Sequence, residues 1–295
     1  MNRPTLMLLV GIPGSGKSTY AHKYIKEHPD AICLSSDKIR EELWGNEATQ
    51  GDNNEVFHLM QCRAVEALNN GQSVIYDATN ITRKDRAYII SQCPKFVKIK
   101  CYIIWAPIET CIERDASRAR TVGKDVIDRM LKRFQAPYYD EGIDEIKIIV
   151  PDDWNEEVCD EYKEKLWESL DIPHDNPHHT LNVQNHCIEA VQYVLNRWVN
   201  NDDLIASTCW HDVGKPYVKA FVDSKGNPCD TAHYYSHNNF GSWLVYGVST
   251  DVDPFIAWLV CNHMEPFFNS KYYQKLPTYL KDMVDKLHEA DKAAH

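Results

Sequence analysis

Apolar runs alternate with amphipathic stretches through the first half of the chain, whereas amphipathic stretches alone fill the second. Residues 5–10 form a short apolar run that meets a glycine-rich loop, the pattern of a buried strand. Further strands are expected at 31–35, 73–77, 97–105 and 146–150. Helical spacing predicts helices at 17–27, 38–44, 55–69, 82–93, 108–118 and 124–135. Strands alternating with helices imply an α/β domain, a mostly parallel sheet with helices on both faces.

Pro151, Asp152 and Asp153 interrupt this pattern. Residues 156–170 then read as an acidic, solvated helix able to bridge two domains. Beyond Pro173 and Pro177 no β-rich run of similar strength recurs, and helices are expected at 183–199, 203–211, 238–246, 254–263 and 276–290. The expected organisation is an α/β domain at 1–152, a linker helix at 153–171 and an all-α domain at 172–295, with no internal repeat.

Composition changes this picture little. Of 295 residues, 43% are hydrophobic and 25% charged, ordinary for a soluble globular protein with room for two cores. The longest apolar runs are too short to span a bilayer, and the first residues lack a signal-peptide layout. The ten cysteines are scattered singly, which favours reduced thiols and a cytoplasmic location over a disulfide framework. A formal net charge of −11 argues against sequence-blind coating of a nucleic-acid backbone. A local basic stretch, Arg114, Arg118, Arg120, Lys124, Arg129, Lys132 and Arg133, leaves room for recognition of a strand end.

Chemistry concentrates in two places. Gly11, Gly14, Ser15, Gly16, Lys17, Ser18 and Thr19 have the spacing of a phosphate-binding loop between strand and helix. Glycines let the backbone curl so that N–H groups and the helix N-terminus cradle phosphates. Lys17 would bridge phosphate oxygens and Ser18 would hold Mg²⁺ of a bound nucleoside triphosphate. Asp37 follows the second strand, where it would either accept a proton from an attacking hydroxyl or cap the helix expected from Lys38. Arg40 would hold an acceptor phosphate or sit on a solvated face. Asp77, with Thr79 and Asn80, ends the third strand facing the same cleft. Arg114 and Arg118, spaced i,i+4, would project from one helix face over the nucleotide or form a solvated stripe.

The second concentration is histidine-rich: ten of the 13 histidines follow residue 173. His186, the adjacent His211 and Asp212, His237, His263 and Asp291 fall on successive expected helices. Adjacent ligands on one helix diverge by about 100°, so both can reach a metal only near a helix end, where Gly214 and Pro216 put it. Two imidazoles and two carboxylates suit one divalent transition metal (Mn, Fe, Co, Ni or Zn). His237 and His263 would allow a second, with Asp212 bridging. His174, His178, His233, His288 and His295 are assigned to the surface.

The motifs GIPGSGKSTYA, SSDKIREEL, IYDATN and RDASRAR together resemble the 5′-hydroxyl polynucleotide kinases of the phage and RNA-repair kind, over roughly residues 5–150. That resemblance implies ATP or another NTP with Mg²⁺, Asp37 as general base, Arg40 as acceptor-phosphate ligand, and Arg114 and Arg118 as lid arginines. Ala78 between Asp77 and Thr79 is a departure shared with wider P-loop kinases. Residues 172–295 resemble the HD phosphohydrolase superfamily through His186, His211–Asp212, His237, His263 and Asp291. By that likeness Lys215 contacts the scissile phosphate, and His179 is a supporting group. The combined expectation is a bifunctional end-healing enzyme acting on RNA or DNA ends ahead of a ligase, with no membrane association. It would phosphorylate 5′-hydroxyls and remove 2′,3′-cyclic, 2′- or 3′-phosphates. Two alternatives stay open: a nucleoside or small-molecule kinase with an HD nucleotidase, and a kinase carrying a non-catalytic nucleotide-sensing or RNA-docking HD domain.

Overall fold

The computed structural model describes residues 3–294 apart from 48, 50, 119, 178 and 179, so His178, His179 and His295 lie outside the described residues. The chain divides into two compact units, one of Met1–Met130 with Pro137–Pro151 and the other of Leu131–Ala136 with Asp152–His295.

The first unit runs β1 (Thr5–Val10), α1 (Lys17–Glu27), β2 (Ile32–Ser35), α2 (Ser36–Trp44), α3 (Asn53–Asn69), β3 (Val74–Asp77), α4 (Arg83–Ile90), β4 (Lys98–Ile104), α5 (Ile108–Ala116), α6 (Lys124–Leu131) and β5 (Glu145–Ile149). The sheet order is β2-β3-β1-β4-β5, and every pairing is parallel. Strand β1 is central and buried after its first residue, as an unbroken apolar run requires when helices cover both faces. Met7 and Leu9 pack with Ala21, Ile75, Tyr102 and Ile104. The register sets Leu9 against Asp77 and Ser35 against Asp77, so β1, β2 and β3 end level. The chain reverses its direction of travel across the sheet at β1, and the crevice beyond such strand ends is where α/β proteins bind ligands.

Two braces hold that edge. Asn80, in the left-handed conformation at φ 46, donates to the Leu9 carbonyl at 2.8 Å. The fully buried Arg86 donates to Glu141 at 2.7 and 2.6 Å and to the Asn80 carbonyl at 2.9 Å. This bidentate pair leaves no uncompensated buried charge.

The second unit contains α7 (Glu156–Ser169), α8 (Val183–Arg197), α9 (Asp202–Trp210), α10 (Lys215–Val218), β6 (Ala220–Val222), β7 (Pro228–His233), α11 (His237–Val245), α12 (Pro254–Asn262), α13 (Glu265–Phe268), α14 (Lys271–Gln274) and α15 (Thr278–Ala293). The unit is therefore helical with one antiparallel hairpin, not all-α as the pattern predicts. The strands flank Asp223, whose carboxylate accepts from the N–H groups of Lys225 and Asn227 and so closes the turn. Helix α7, read from sequence as a bridge, is built into this unit. It buries Cys159 and Leu166, and Tyr162 donates to the Leu244 carbonyl at 3.3 Å. Phe134 is fully buried in the same unit, edge-on to Trp243 at 5.3 Å and Tyr246 at 6.1 Å. Among the described residues no helix is long and apolar enough to cross a membrane.

Candidate functional sites

In the first unit the glycine loop joins β1 to α1. Gly14 has φ 80, and a Cβ there would overlap the Cys111 carbonyl oxygen, so only glycine lets the loop lie against α5. Lys17 donates to the Ile12 carbonyl at 2.9 Å. Its ammonium is enclosed by the loop, and that desolvation lowers its pKa to about 8 despite the nearby Asp77 carboxylate. Ser18 donates to Asp77 Oδ2 at 3.1 Å. Burial raises the Asp77 pKa, partly offset by Lys17 and the Ser18 hydroxyl. Asp77, expected from sequence to face the cleft, thus lies against Ser18, on the expected Mg²⁺ side.

Asp37 does not cap a helix. Helix α2 begins at Ser36, Ser35 is its N-cap, and Asp37 sits within the first turn. Its Oδ1 accepts from Arg40 Nη1 at 3.0 Å and Arg120 Nη1 at 3.3 Å. Arg40 also donates to Asn53 Oδ1 at 3.0 Å. Arg114 and Arg118 line one cleft with Gly14, Gly16, Lys17, Ser18 and Thr19. They do so without sharing a helix face, because α5 ends at Ala116 and Arg118 lies beyond the cap. Asp115 turns the chain there. It accepts from Thr121 Oγ1 at 2.7 Å, Val122 N at 3.0 Å and Gly123 N at 2.9 Å. Burial pushes its carboxyl up, but these bonds outweigh burial and hold its pKa down. Arg120 and Asp115 both lie inside the motif read as a lid, where only Arg114 and Arg118 carry the expected spacing.

In the second unit helix ends converge. His186 lies on α8, His211 caps α9, His237 opens α11, His263 caps α12, and Asp291 lies on α15. A Cβ on Gly214 would overlap the His237 carbonyl, so this glycine brings α10 against α11. Each imidazole faces a backbone carbonyl through Nδ1. His186 pairs with Ala294 O at 3.1 Å, His211 with Thr208 O at 2.7 Å, His237 with Tyr234 O at 2.8 Å and His263 with Val260 O at 2.8 Å. A carbonyl only accepts, so each Nδ1 carries a proton and each Nε2 points inward, able to ligate a cation when it is itself unprotonated.

Those Nε2 atoms oppose one another in pairs. His186 Nε2 is 3.2 Å from His211 Nε2, and His237 Nε2 is 3.1 Å from His263 Nε2. Two unprotonated nitrogens at such separations repel unless a proton or a metal cation lies between or beside them. Asp291 Oδ1 stands 2.9 Å from His186 Nε2 and 3.4 Å from His211 Nε2. Asp212 offers one oxygen to each group: Oδ2 is 3.4 Å from His211 and 3.5 Å from His186, while Oδ1 is 3.3 Å from His237. Two donor sets result, His186, His211, Asp212 and Asp291, and Asp212, His237 and His263, each with its ligand atoms within 4.8 Å of one another. These residues can hold one or two divalent cations with Asp212 common to both. Burial opposes charge here, but the carboxylates draw His211 well above the usual imidazole value. Burial and the neighbouring imidazoles push His263 down to about 3.

Lys215 is buried beside this centre, with Nζ 2.6 Å from Asp212 Oδ2. His174, assigned from sequence to the surface, is 2% exposed and lies 3.1 Å from Lys215 Nζ through Nε2. Burial, then the Lys215 charge, lowers its pKa to about 4. His288 is half-buried, not wholly exposed.

Residues 6–137 match the family model described as AAA domain. The chain is 29% identical over 209 residues to a protein of Methanococcus maripaludis named L-seryl-tRNA(Sec) kinase, covering 68% of this chain and 76% of that one. It is 26% identical over 157 residues to Transcription factor bHLH140 of Arabidopsis thaliana, covering 50% of this chain and 16% of that one. Among solved structures, a chain of the Pnkp1/Rnl/Hen1 RNA repair complex superposes with TM-score 0.41 at 23% identity, covering 45% of this chain and 44% of that one. A fungal RNA kinase does so with TM-score 0.39 at 13% identity, covering 52% and 40%. With its parallel sheet, its loop and the family match, the amino-terminal unit is a P-loop kinase-like α/β domain.

Proposed function

We propose that this protein is a bifunctional nucleic-acid end-healing enzyme. The kinase unit transfers the γ-phosphoryl group of a nucleoside triphosphate to a 5′-hydroxyl. The acceptor oxygen bonds to the γ-phosphorus, the bond to the β–γ bridging oxygen breaks, and the hydroxyl proton passes to Asp37. Lys17, Arg114 and Arg118 line the path of the transferring charge. Ser18, whose hydroxyl is held by Asp77, would be the protein ligand of the Mg²⁺ arriving with the nucleotide, which would neutralise phosphate charge. The pairing of Asp37 with Arg40 and Arg120 favours this reading: a carboxylate beside two guanidiniums at the mouth suits an acceptor that carries phosphate.

The helical unit, on this reading, is an HD-type phosphohydrolase that removes a 2′,3′-cyclic, 2′- or 3′-phosphate. The single observation that carries it is the sharing of Asp212 between two histidine groups whose Nε2 atoms all face inward. Divalent cations, when bound, supply water activation and charge neutralisation at phosphate. The four Nδ1–carbonyl bonds hold the imidazoles in the ligating tautomer, and Lys215 offers an ammonium to a phosphate oxygen.

A panel of end-defined RNA and DNA oligonucleotides, given labelled ATP with Mg²⁺ and separately Mn²⁺-loaded protein, tests both halves. Absence of 5′ labelling on every substrate removes the polynucleotide kinase. Absence of phosphate release from every 2′- or 3′-end removes the phosphohydrolase. The similarity to a protein named for seryl-tRNA favours one second reading, a kinase whose acceptor hydroxyl is not a 5′-end but is still presented by RNA. Labelling of aminoacylated but not deacylated tRNA selects it.

A further inference from the structure

His174 lies in the irregular segment between α7 and α8, fully inside the second unit and outside the histidine pattern that marks the metal centre. The neighbouring residues Pro173 and Asn182 form an isolated β-bridge that folds the segment back on itself. The His174 ring is wired at both nitrogens. Nδ1 is 2.7 Å from the Leu181 carbonyl, which only accepts, so Nδ1 carries the proton. Nε2 is then an acceptor, and Lys215 Nζ donates to it at 3.1 Å. The backbone of His174 is fixed too, because the Tyr234 hydroxyl donates to its carbonyl oxygen. The Tyr234 ring in turn lies 5.4 Å from Lys215 Nζ. Lys215 is thus gripped by one charged partner, Asp212, and by two neutral ones, His174 and Tyr234.

The neutral partners matter because Asp212 is the carboxylate common to both donor sets. Once its oxygens face bound cations, its hold on Lys215 weakens and the cations repel the ammonium. A second carboxylate could retain Lys215 but would compete for the cations. A neutral imidazole with its tautomer locked by a backbone carbonyl retains the ammonium and adds no charge.

We propose that His174 is a positioning residue: its Nε2 holds Lys215 at the phosphate side of the centre while Asp212 serves the cations. The positioning for phosphate rests on the phosphohydrolase reading; the hold on Lys215 does not. The experiment therefore has two arms on the full chain. In the first, Lys215 acetylation by an N-hydroxysuccinimide ester is timed by peptide mass spectrometry. His174→Asn, too short to reach Lys215, should speed modification about tenfold or more, and His174→Gln, whose amide oxygen can replace Nε2, should stay near wild type. Equal protection in wild type and His174→Asn overturns the hold. Should His174→Asn melt with the unfolded chain, His174→Phe takes its place under the same criterion.

In the second arm, inorganic phosphate binding to Mn²⁺-loaded protein is titrated for wild type, His174→Asn, Lys215→Ala and the double variant. His174→Asn should weaken phosphate about tenfold, with unchanged manganese content and little further loss in the double variant beyond Lys215→Ala. Additive losses overturn the positioning role. Wild type that neither binds phosphate nor hydrolyses a phosphate ester defeats the phosphohydrolase reading, while the acetylation arm still decides the hold.

Discussion

The two candidate sites are built from different parts of the chain. The first is made mainly of backbone: a loop of consecutive residues from Gly11 to Ser18, ordered by glycines and by the start of α1. The second is made of side chains from His186 to Asp291, delivered by the ends of five helices. A backbone cradle tolerates change wherever the turn survives. A side-chain centre depends on every helix arriving in register, and one residue, Asp212, serves two groups at once.

The sharpest test of this contrast is Asp212→Ala. It should abolish phosphate release by about 10³-fold or more, leave 5′-labelling unchanged and remove bound metal from both donor sets, read by elemental analysis. It also strips Lys215 of its one charged partner, so the second unit should lose about 3–5 kcal/mol in urea unfolding. Next comes Lys17→Ala, expected to cut kinase turnover by about 10²–10³-fold with phosphatase rates intact. If either variant silences both activities, the sites are not independent and the contrast fails.

Metal removal gives a smaller effect. Opposed Nε2 atoms imply that the second unit is stabilised by its ligand, by about 2–3 kcal/mol at a hundredfold excess over Kd. Dialysis against a chelator should lower one calorimetric transition and spare the other. The smallest effect is a proton. Because desolvation holds free Lys17 near pKa 8, it is largely neutral at about pH 9, and a bound triphosphate should restore its charge. Calorimetry in buffers of differing ionisation enthalpy should therefore show uptake of about one proton per ATP at about pH 9 and nearly none at about pH 6.5.

The same contrast explains what could be read in advance. The phosphate loop, β1 and the alternation that builds the sheet were legible because each is a local pattern. The six candidate ligand positions, with Asp212 shared between two groups, were readable as a motif, but which Asp212 oxygen faces which histidines was not, since that depends on the side chain's orientation. His174 escaped for the same reason: nothing in its neighbours distinguishes a buried imidazole from a solvated one until Leu181 and Lys215 close on it. The i,i+4 spacing of Arg114 and Arg118 misled about the helix, because the Asp115 carboxylate diverts the chain after Ala116. The hairpin at β6 and β7 is too short to give a β-rich run, though Asp223, Gly226 and Asn227 carry its turn. The buried stripe of α7, Cys159 and Leu166, was masked by its many acidic neighbours.

Phe134 sets a practical boundary on dissecting this molecule. It comes before the last strand of the kinase sheet in the chain, yet its ring is enclosed by Trp243 and Tyr246. A truncation after Pro151 would therefore strand an oily aromatic on the amino-terminal fragment and leave a hole of the same size in the carboxy-terminal one. Half-length fragments expressed separately would carry complementary defects, and co-expression, not isolation, is the way to recover either half in working order.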